Sequence, residues 1–117
     1  MTFFEAFEKI KKSIKLETAP EIEGHLALQL NITDEDASGI CYVEVKDGKI
    51  LVEPYDYRDN DGVLWASTED FCKVFSGRLG AERALREERL KITGNVERAM
   101  EFQKLTKKIV RGPKKKA

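Results

Sequence analysis

The dipeptide Asp47-Gly48, with Lys46 before it, is all that separates two strand-like runs, GICYVEV at 39–45 and the stretch from Lys49 to Tyr57. A loop that short joins antiparallel neighbours, because parallel neighbours need a crossover of about a dozen residues or more. The run before it, HLALQLNI at 25–32, places Leu26, Leu28, Leu30 and Ile32 on one face and Ala27, Gln29 and Asn31 on the other. Period-two patterning of this kind marks a strand with one buried face. Three strands joined by the polar turns TDEDASG and Asp47-Gly48 therefore predict an antiparallel meander. After the turn RDNDG, VLWAS at 63–67 reads as a fourth strand.

The remaining segments follow a helical period. Phe3, Phe7, Ile10 and Ile14 form one apolar stripe between Thr2 and Leu16, with Glu5, Glu8, Lys9, Lys11 and Lys12 on the other faces, and Pro20 ends or follows that helix. Beyond the fourth strand, Ser67 or Thr68 supplies a capping hydroxyl, and Glu69 and Asp70 put negative charge in a first helical turn. Phe71, Val74 and Phe75 then recur at helical spacing, and Gly77 suits the stop. A shorter helix over Ala81–Glu88 leads to a strand, RLKIT at 89–93, with Leu90 and Ile92 on one face. Gly94 and Asn95 open a last helix whose apolar band comprises Val96, Ala99, Met100, Phe102, Leu105 and Ile109. The order helix, three or four strands, helices, strand, helix predicts an α+β fold with helices gathered on one face of a mostly antiparallel sheet.

A chain of 117 residues, 41% hydrophobic and 36% charged, is long enough for one buried core and short for two. We expect one domain over 1–110 and a basic disordered tail over 111–117. Its longest apolar runs, such as ICYV at 40–43, fall far below the eighteen or so residues that span a bilayer. The N-terminus MTFFEAFEKIKK carries acids within its apolar region and no small-residue cleavage site, so it does not read as a secretory signal. Cys41 and Cys72 lack a C-x-x-C spacing and clustered histidines, which favours free thiols in a reducing cytoplasm. The net charge of zero is uneven: six bases and no acid lie from Lys107 onward, leaving fifteen bases against twenty-one acids before it. An acidic body with a short basic tail is not the pattern of a nucleic-acid binder. The tail reads as a solvated end, with at most weak peripheral contact to anionic lipid headgroups.

No catalytic or metal-binding set emerges. In the acidic turn Asp56, Asp59, Asp61, a calcium-loop reading that fixes Gly62 at position six places Tyr57 and Thr68 where carboxylates are required. His25 is the only histidine, which removes ordinary histidine metal clusters. A dyad of His25 with Cys41 or Cys72 stays open on sequence alone, although both cysteines occupy apolar-face positions typical of core. Gly77, Gly80 and Gly94 lack phosphate-loop spacing. What remains is apolar: Trp65, Phe71, Phe75, Leu85, Leu90, Met100, Phe102 and Leu105. Periodicity alone favours core over ligand wall for each of them.

The wording of the segment after Trp65 adds to this. STEDFCKVFSGRL at 67–79, followed by RLKITGNVERAMEFQ at 89–103, resembles the sterol carrier protein, or non-specific lipid-transfer protein, domain family. Members of that family carry a serine, an acidic D-F pair, a G-K-L or G-R-L turn, an L-K-I-x-G strand, and a helix opening G-N or G-D with alanine and a long side chain in its second turn. The matching residues are Ser67; Asp70 and Phe71; Gly77, Arg78 and Leu79; Leu90, Lys91 and Ile92; Gly94 and Asn95; Ala99 and Met100. The resemblance implies a five-stranded sheet covered by helices, with an apolar tunnel for sterols, fatty acids or their acyl-CoA esters that the C-terminal helix closes. Residues before Trp65 match only loosely. The family's acid leading into the fourth strand is replaced by Gly62 and Val63, and its common phenylalanine after the alanine matching Ala84 by Leu85. The chain ends Lys115-Lys116-Ala117, so the resemblance brings no expectation of peroxisomal targeting.

On this reading Phe71, Val74 and Phe75 form one wall, Leu85 and Ile92 the floor, and Met100 with the last helix the movable side, with Trp65 and Leu105 completing the lining. The expected function is non-enzymatic binding or transfer of a hydrophobic ligand in the cytoplasm, by a monomer or weak homodimer, with no catalytic residue, metal or cofactor. The alternative is the same fold used as a ligand-free interaction or dimerisation module.

Overall fold

A computed structural model describes residues 1–14, 24–56 and 59–105. Its elements are α1 (Phe3–Ser13), β1 (Leu26–Ile32), β2 (Gly39–Lys46), β3 (Lys49–Glu53), β4 (Gly62–Ala66), α2 (Thr68–Phe75), α3 (Ala81–Arg86), β5 (Lys91–Gly94) and α4 (Val96–Ala99), which continues as a 3-10 helix over Met100–Leu105. The strands form one sheet in the order β3-β2-β1-β4-β5.

Each pairing follows from the connection that makes it. At the hairpin, Asp47 (φ 52°) and Gly48 (φ 76°) both have positive φ, the type I′ turn that matches strand twist, and Lys46 pairs with Lys49. The chain then leaves β3 and passes β2 and β1 before forming β4, so β4 runs parallel to β1, with Leu30 opposite Leu64. The pairings β1–β2, β2–β3 and β4–β5 are antiparallel. The sheet is thus mixed but mostly antiparallel, and the α+β class expected from the element order holds. One inner row crosses four strands, Cys41–Leu30–Leu64–Ile92. It joins Phe7, Ile10 and Ile14 from the first helix and Phe71, Val74 and Phe75 from α2 in a single core. A capping box starts α1: the Glu5 N–H donates to Thr2 Oγ1 at 3.2 Å, and the Thr2 N–H to the Glu5 carboxylate at 2.7 Å.

Several boundaries differ from the expected ones. The third strand ends at Glu53 rather than Tyr57, because Pro54 locks φ at about −65°, short of the extended strand value; Tyr57 itself lies outside the described residues, as do Leu16, Pro20, Ile109 and the tail from 111. The last strand starts at Lys91, not Arg89, because Arg89 and Leu90 both donate to the Ala84 carbonyl at 2.8 and 3.2 Å and so belong to the C-terminal wrap of α3. The last helix is α-helical for four residues only and then tightens to 3-10 geometry. Within the acidic turn, Asp61 ties the start of β4 to β1. Its carboxylate accepts the Ala27 N–H at 2.8 Å, while its own N–H donates to the Ala27 carbonyl at 2.7 Å.

Two backbone positions govern how the C-terminal half sits. An added Cβ at Gly62 would lie 2.8 Å from Ala99 Cβ and 3.2 Å from the Thr93 carbonyl oxygen, so the absence of a side chain lets α4 cross the start of β4. Glu88 occupies the left-handed position (φ 59°) after α3, where its N–H and that of Arg89 close a Schellman pair on Leu85 and Ala84. We predict that Gly62→Ala lowers stability by about 1–3 kcal/mol through overpacking against Ala99. Glu88→Gly should raise it by about 1 kcal/mol by removing a left-handed β-carbon. Thermal melts of the two variants, which should move in opposite directions by several degrees, check both.

Candidate lipid-binding site

The site is built on α2, and its start is fixed from two sides. Ser67 caps it, its hydroxyl accepting the Asp70 N–H at 3.1 Å. Asp34, from the β1–β2 connection, accepts the Thr68 N–H at 2.6 Å and the Thr68 hydroxyl at 3.1 Å. Farther along, the Asp70 carboxylate takes the Arg89 guanidinium at 2.9–3.0 Å and ties α2 to the chain leading into β5. These contacts set the rotation of the helix, and its 3.6-residue period then points Phe71, Val74 and Phe75 together at the core. Gly77 (φ 86°) ends it in a turn that a β-carbon would strain.

Opposite that face lies the C-terminal segment. Asn95 caps α4 by accepting the Arg98 N–H at 3.0 Å, and Ala99, Phe102 and Leu105 are buried. Phe71 and Phe75 stack with ring centres 6.2 Å apart, and Phe102 meets Phe75 edge-on at 6.0 Å. The structure therefore brings Phe71, Val74, Phe75 and Leu105 into one buried cluster, with Leu85, Ile92 and Met100 half-buried against it. Trp65 lies apart. Leu64 and Ala66 point inward, so strand alternation turns Trp65 to the other sheet face, where it is 37% exposed and its ring N–H donates to Thr93 Oγ1 at 3.3 Å. Phe102, counted in the apolar band of the last helix but not in the expected lining, is the residue that closes over Phe75. The alternation of VLWAS carried the signal for Trp65; no local pattern distinguished Phe102 from its neighbours.

Open clefts lie elsewhere on the surface. The one between α1 and α2, about 700 Å³, is lined by residues including Lys9, Ser13, Asp34, Cys72 and Arg78. A second, about 420 Å³, lies beside Trp65, Asp70, Glu88, Arg89 and Lys91. Neither is lined by Phe71, Val74, Phe75 or Leu105; in this structure Phe75 is met by Phe102 of the 3-10 helix.

Comparison with known proteins matches residues 7–107 to the SCP-2 sterol transfer family. Hydroxysteroid dehydrogenase-like protein 2 of Rattus norvegicus is 34% identical over 104 residues, covering 86% of this chain and 19% of that protein. Sterol carrier protein 2 of Homo sapiens is 28% identical over 102 residues, covering 85% of this chain and 19% of that protein. The chain thus spans about a fifth of the length of these curated relatives. Among solved structures, Sterol Carrier Protein 2 Like 2 from Aedes aegypti superposes with a TM-score of 0.58 at 17% identity, over 86% of this chain and 92% of that one, a likeness of fold.

Burial pushes the Cys41 thiol up to about 12 and raises that of half-buried Cys72, although the neighbouring Ser13 hydroxyl acts to lower it. His25 Nε2 lies 2.5 Å from a Glu44 carboxylate oxygen. Cys41 pairs with Leu30, five residues along from His25 or roughly 16 Å at strand rise. A raised thiol pKa leaves less thiolate at any given pH, so both cysteines should be poor nucleophiles. We predict that at about pH 8 Cys72 alkylates more slowly than a peptide thiol, its rate rising with pH, whereas Cys41 labels only on unfolding. Mass spectrometry of iodoacetamide-treated protein, native and in denaturant, reads this directly.

Proposed function

The chain belongs to the SCP-2 sterol transfer family, and from that premise we propose that it binds a sterol, fatty acid or fatty acyl-CoA by its apolar part, between the sheet and the helices that follow β4. The observation that carries this reading is the contrast across the buried cluster. One side is α2, pinned by Ser67, Asp34 and Arg89; the other is a four-residue α-helix running into a 3-10 helix, whose hydrogen-bond geometry is poorer. A hydrocarbon tail that displaced Phe102 and Leu105 from Phe75 would exchange one apolar contact for another, so the wall on α2 stays covered. Burying roughly fifteen methylenes at about 0.8 kcal/mol each supplies on the order of 12 kcal/mol before ordering costs. No metal or charged anchor is required for that. Phe71, Val74 and Phe75 form the fixed wall, Leu85 and Ile92 the floor, and Met100 and Leu105 the moving side.

Binding without chemistry fits the raised thiols and the distance between His25 and Cys41. We place the domain at 1–110, with 111–117 as a basic tail, and its work in the cytoplasm; no described helix is long and apolar enough to cross a membrane. One observation favours a second reading, a ligand-free interaction module: the aromatic contacts Phe71–Phe75–Phe102 already fill the centre of the cluster.

Two measurements separate the readings. Delipidated protein should take up a fluorescent long-chain fatty acid, and at a hundredfold excess over Kd the ligand should add about 2.7 kcal/mol, a melting shift of several degrees. No uptake and no shift with acyl ligands or sterols would sink the lipid reading. Met100→Trp should abolish uptake at little cost in stability if the side chain borders a space that opens. In a solid core the same change should instead destabilise by about 1–3 kcal/mol.

A further inference from the structure

The open cleft between α1 and α2 gathers cations from three parts of the chain. Lys9, Lys12 and Ser13 line it from one face of α1, at i, i+3, i+4 spacing. Cys72 and Lys73 of α2 and Ser76 at its end line the other side, while Phe71 and Phe75 turn away into the core. Arg78 follows in the turn after α2. The next residue holds that turn in place, since Leu79 is buried and its N–H donates to the Lys73 carbonyl at 3.0 Å. Burial raises the Cys72 thiol and the Lys9 charge pulls it the other way, so the Lys9 ammonium lies within electrostatic reach of the cleft's centre. The charges do not cancel. Four cations, Lys9, Lys12, Lys73 and Arg78, meet two carboxylates, Asp34 and Glu69, which leaves two positive charges. The Met1 ammonium, which also borders the cleft, is balanced by Asp36 at 2.9 Å. Glu69 takes Lys73 at 3.3 Å, and Asp34 takes the Thr68 N–H and hydroxyl. Lys9 and Arg78 have no ion-pair partner among the described residues. This surplus stands in a body that carries fifteen bases against twenty-one acids before Lys107.

We propose that this cleft binds a phosphate monoester as its dianion, held by Lys9, Lys12 and Arg78. A monoester carries about −1.5 to −2 charges at pH 7, which balances the surplus. A single carboxylate would leave one of the two positive charges unmatched. The phosphate oxygens accept the charge-assisted hydrogen bonds that ammonium and guanidinium groups donate. Recognition rests on these cations, because the Ser13, Thr68 and Ser76 hydroxyls already donate to the Ile10 carbonyl, to Asp34 and to the Lys73 carbonyl. At about 700 Å³ the cleft falls within the roughly 300–1,000 Å³ of small-molecule sites, which leaves room for an organic group beside the phosphate. Two sources present this chemistry, a soluble phosphate ester and the headgroup of a lipid. The cleft lies on the face of α2 turned away from Phe71 and Phe75, so the proposal does not rest on the interior taking lipid.

NMR titration of the whole delipidated chain with adenosine 5′-monophosphate and with octyl phosphate tests the site. The expected result is saturable shifts of the Lys9, Lys12, Cys72 and Arg78 amides with a Kd below about 1 mM, weakening as salt is raised. Acetate at matched ionic strength should shift none of them. Lys9→Gln and Arg78→Gln should each raise Kd at least about tenfold, since each removes a charge-assisted donor, without lowering the melting temperature. Lys49→Gln, on the β2–β3 hairpin, should leave Kd unchanged. Octyl phosphate binding at least about tenfold more tightly than the nucleotide would identify a lipid headgroup as the source, and equal or weaker binding a soluble ester. No saturable cleft shift with either probe up to about 10 mM, shifts confined to the basic tail, or a Kd unmoved by both cleft substitutions would each overturn the proposal. The nucleotide carries no hydrocarbon tail, so its failure to bind would leave the lipid reading standing, and its binding would survive the loss of that reading.

Discussion

The parallel seam between β1 and β4 is the contact on which the rest of the molecule depends. It joins the N-terminal meander to the segment carrying α2, α3, β5 and α4, and it is fastened at both ends. At one end the Asp61 carboxylate and N–H both engage Ala27; at the other the Thr33 N–H donates to the Ala66 carbonyl at 3.0 Å, and Asp34 caps Thr68. Because Asp34 belongs to the β1–β2 connection, the rotation of α2 is set by the meander and not by the helix alone. Every apolar side chain that α2 presents to the interior inherits its aim from that capping bond and from the Asp70–Arg89 pair.

Polar side chains around the interior are occupied in holding elements together, and this shapes what the interior can do. Asp34, Asp61, Asp70 and Arg89 bind backbone or one another. Burial keeps the Cys41 thiol protonated. The apolar cluster can therefore change its contents only by exchanging hydrocarbon for hydrocarbon, a substitution that leaves no buried hydrogen-bonding group orphaned. Beside that cluster, among the described residues, the chain winds into a 3-10 helix over Met100–Leu105.

Much of this architecture was legible from residue patterns. Asp47-Gly48 fixed the hairpin, and the leucines of HLALQLNI gave the buried face of β1. Phe71, Val74 and Phe75 declared the inner face of α2. What escaped were choices made between distant residues. Asp61 looked like part of an acidic turn until β1 was laid beside it, and Asp70 looked like a favourable first-turn charge until Arg89, nineteen positions later, closed on it. Trp65 counts as lining in a tally of apolar residues, whereas the alternation of VLWAS turns it outward. The 3-10 tightening after Ala99 had no local signature, because an apolar band at helical spacing is compatible with either winding.

The order of pairing also bears on how the chain matures. Leu64 of β4 lies thirty-four residues after its partner Leu30, so one flank of β1 leaves the ribosome well before the strand that will cover it. At about 5–20 residues per second that flank stays bare for seconds during synthesis. Through that interval β1 can bond only to β2, and the nascent meander carries an unshielded leucine-rich edge into the crowded surroundings of translation.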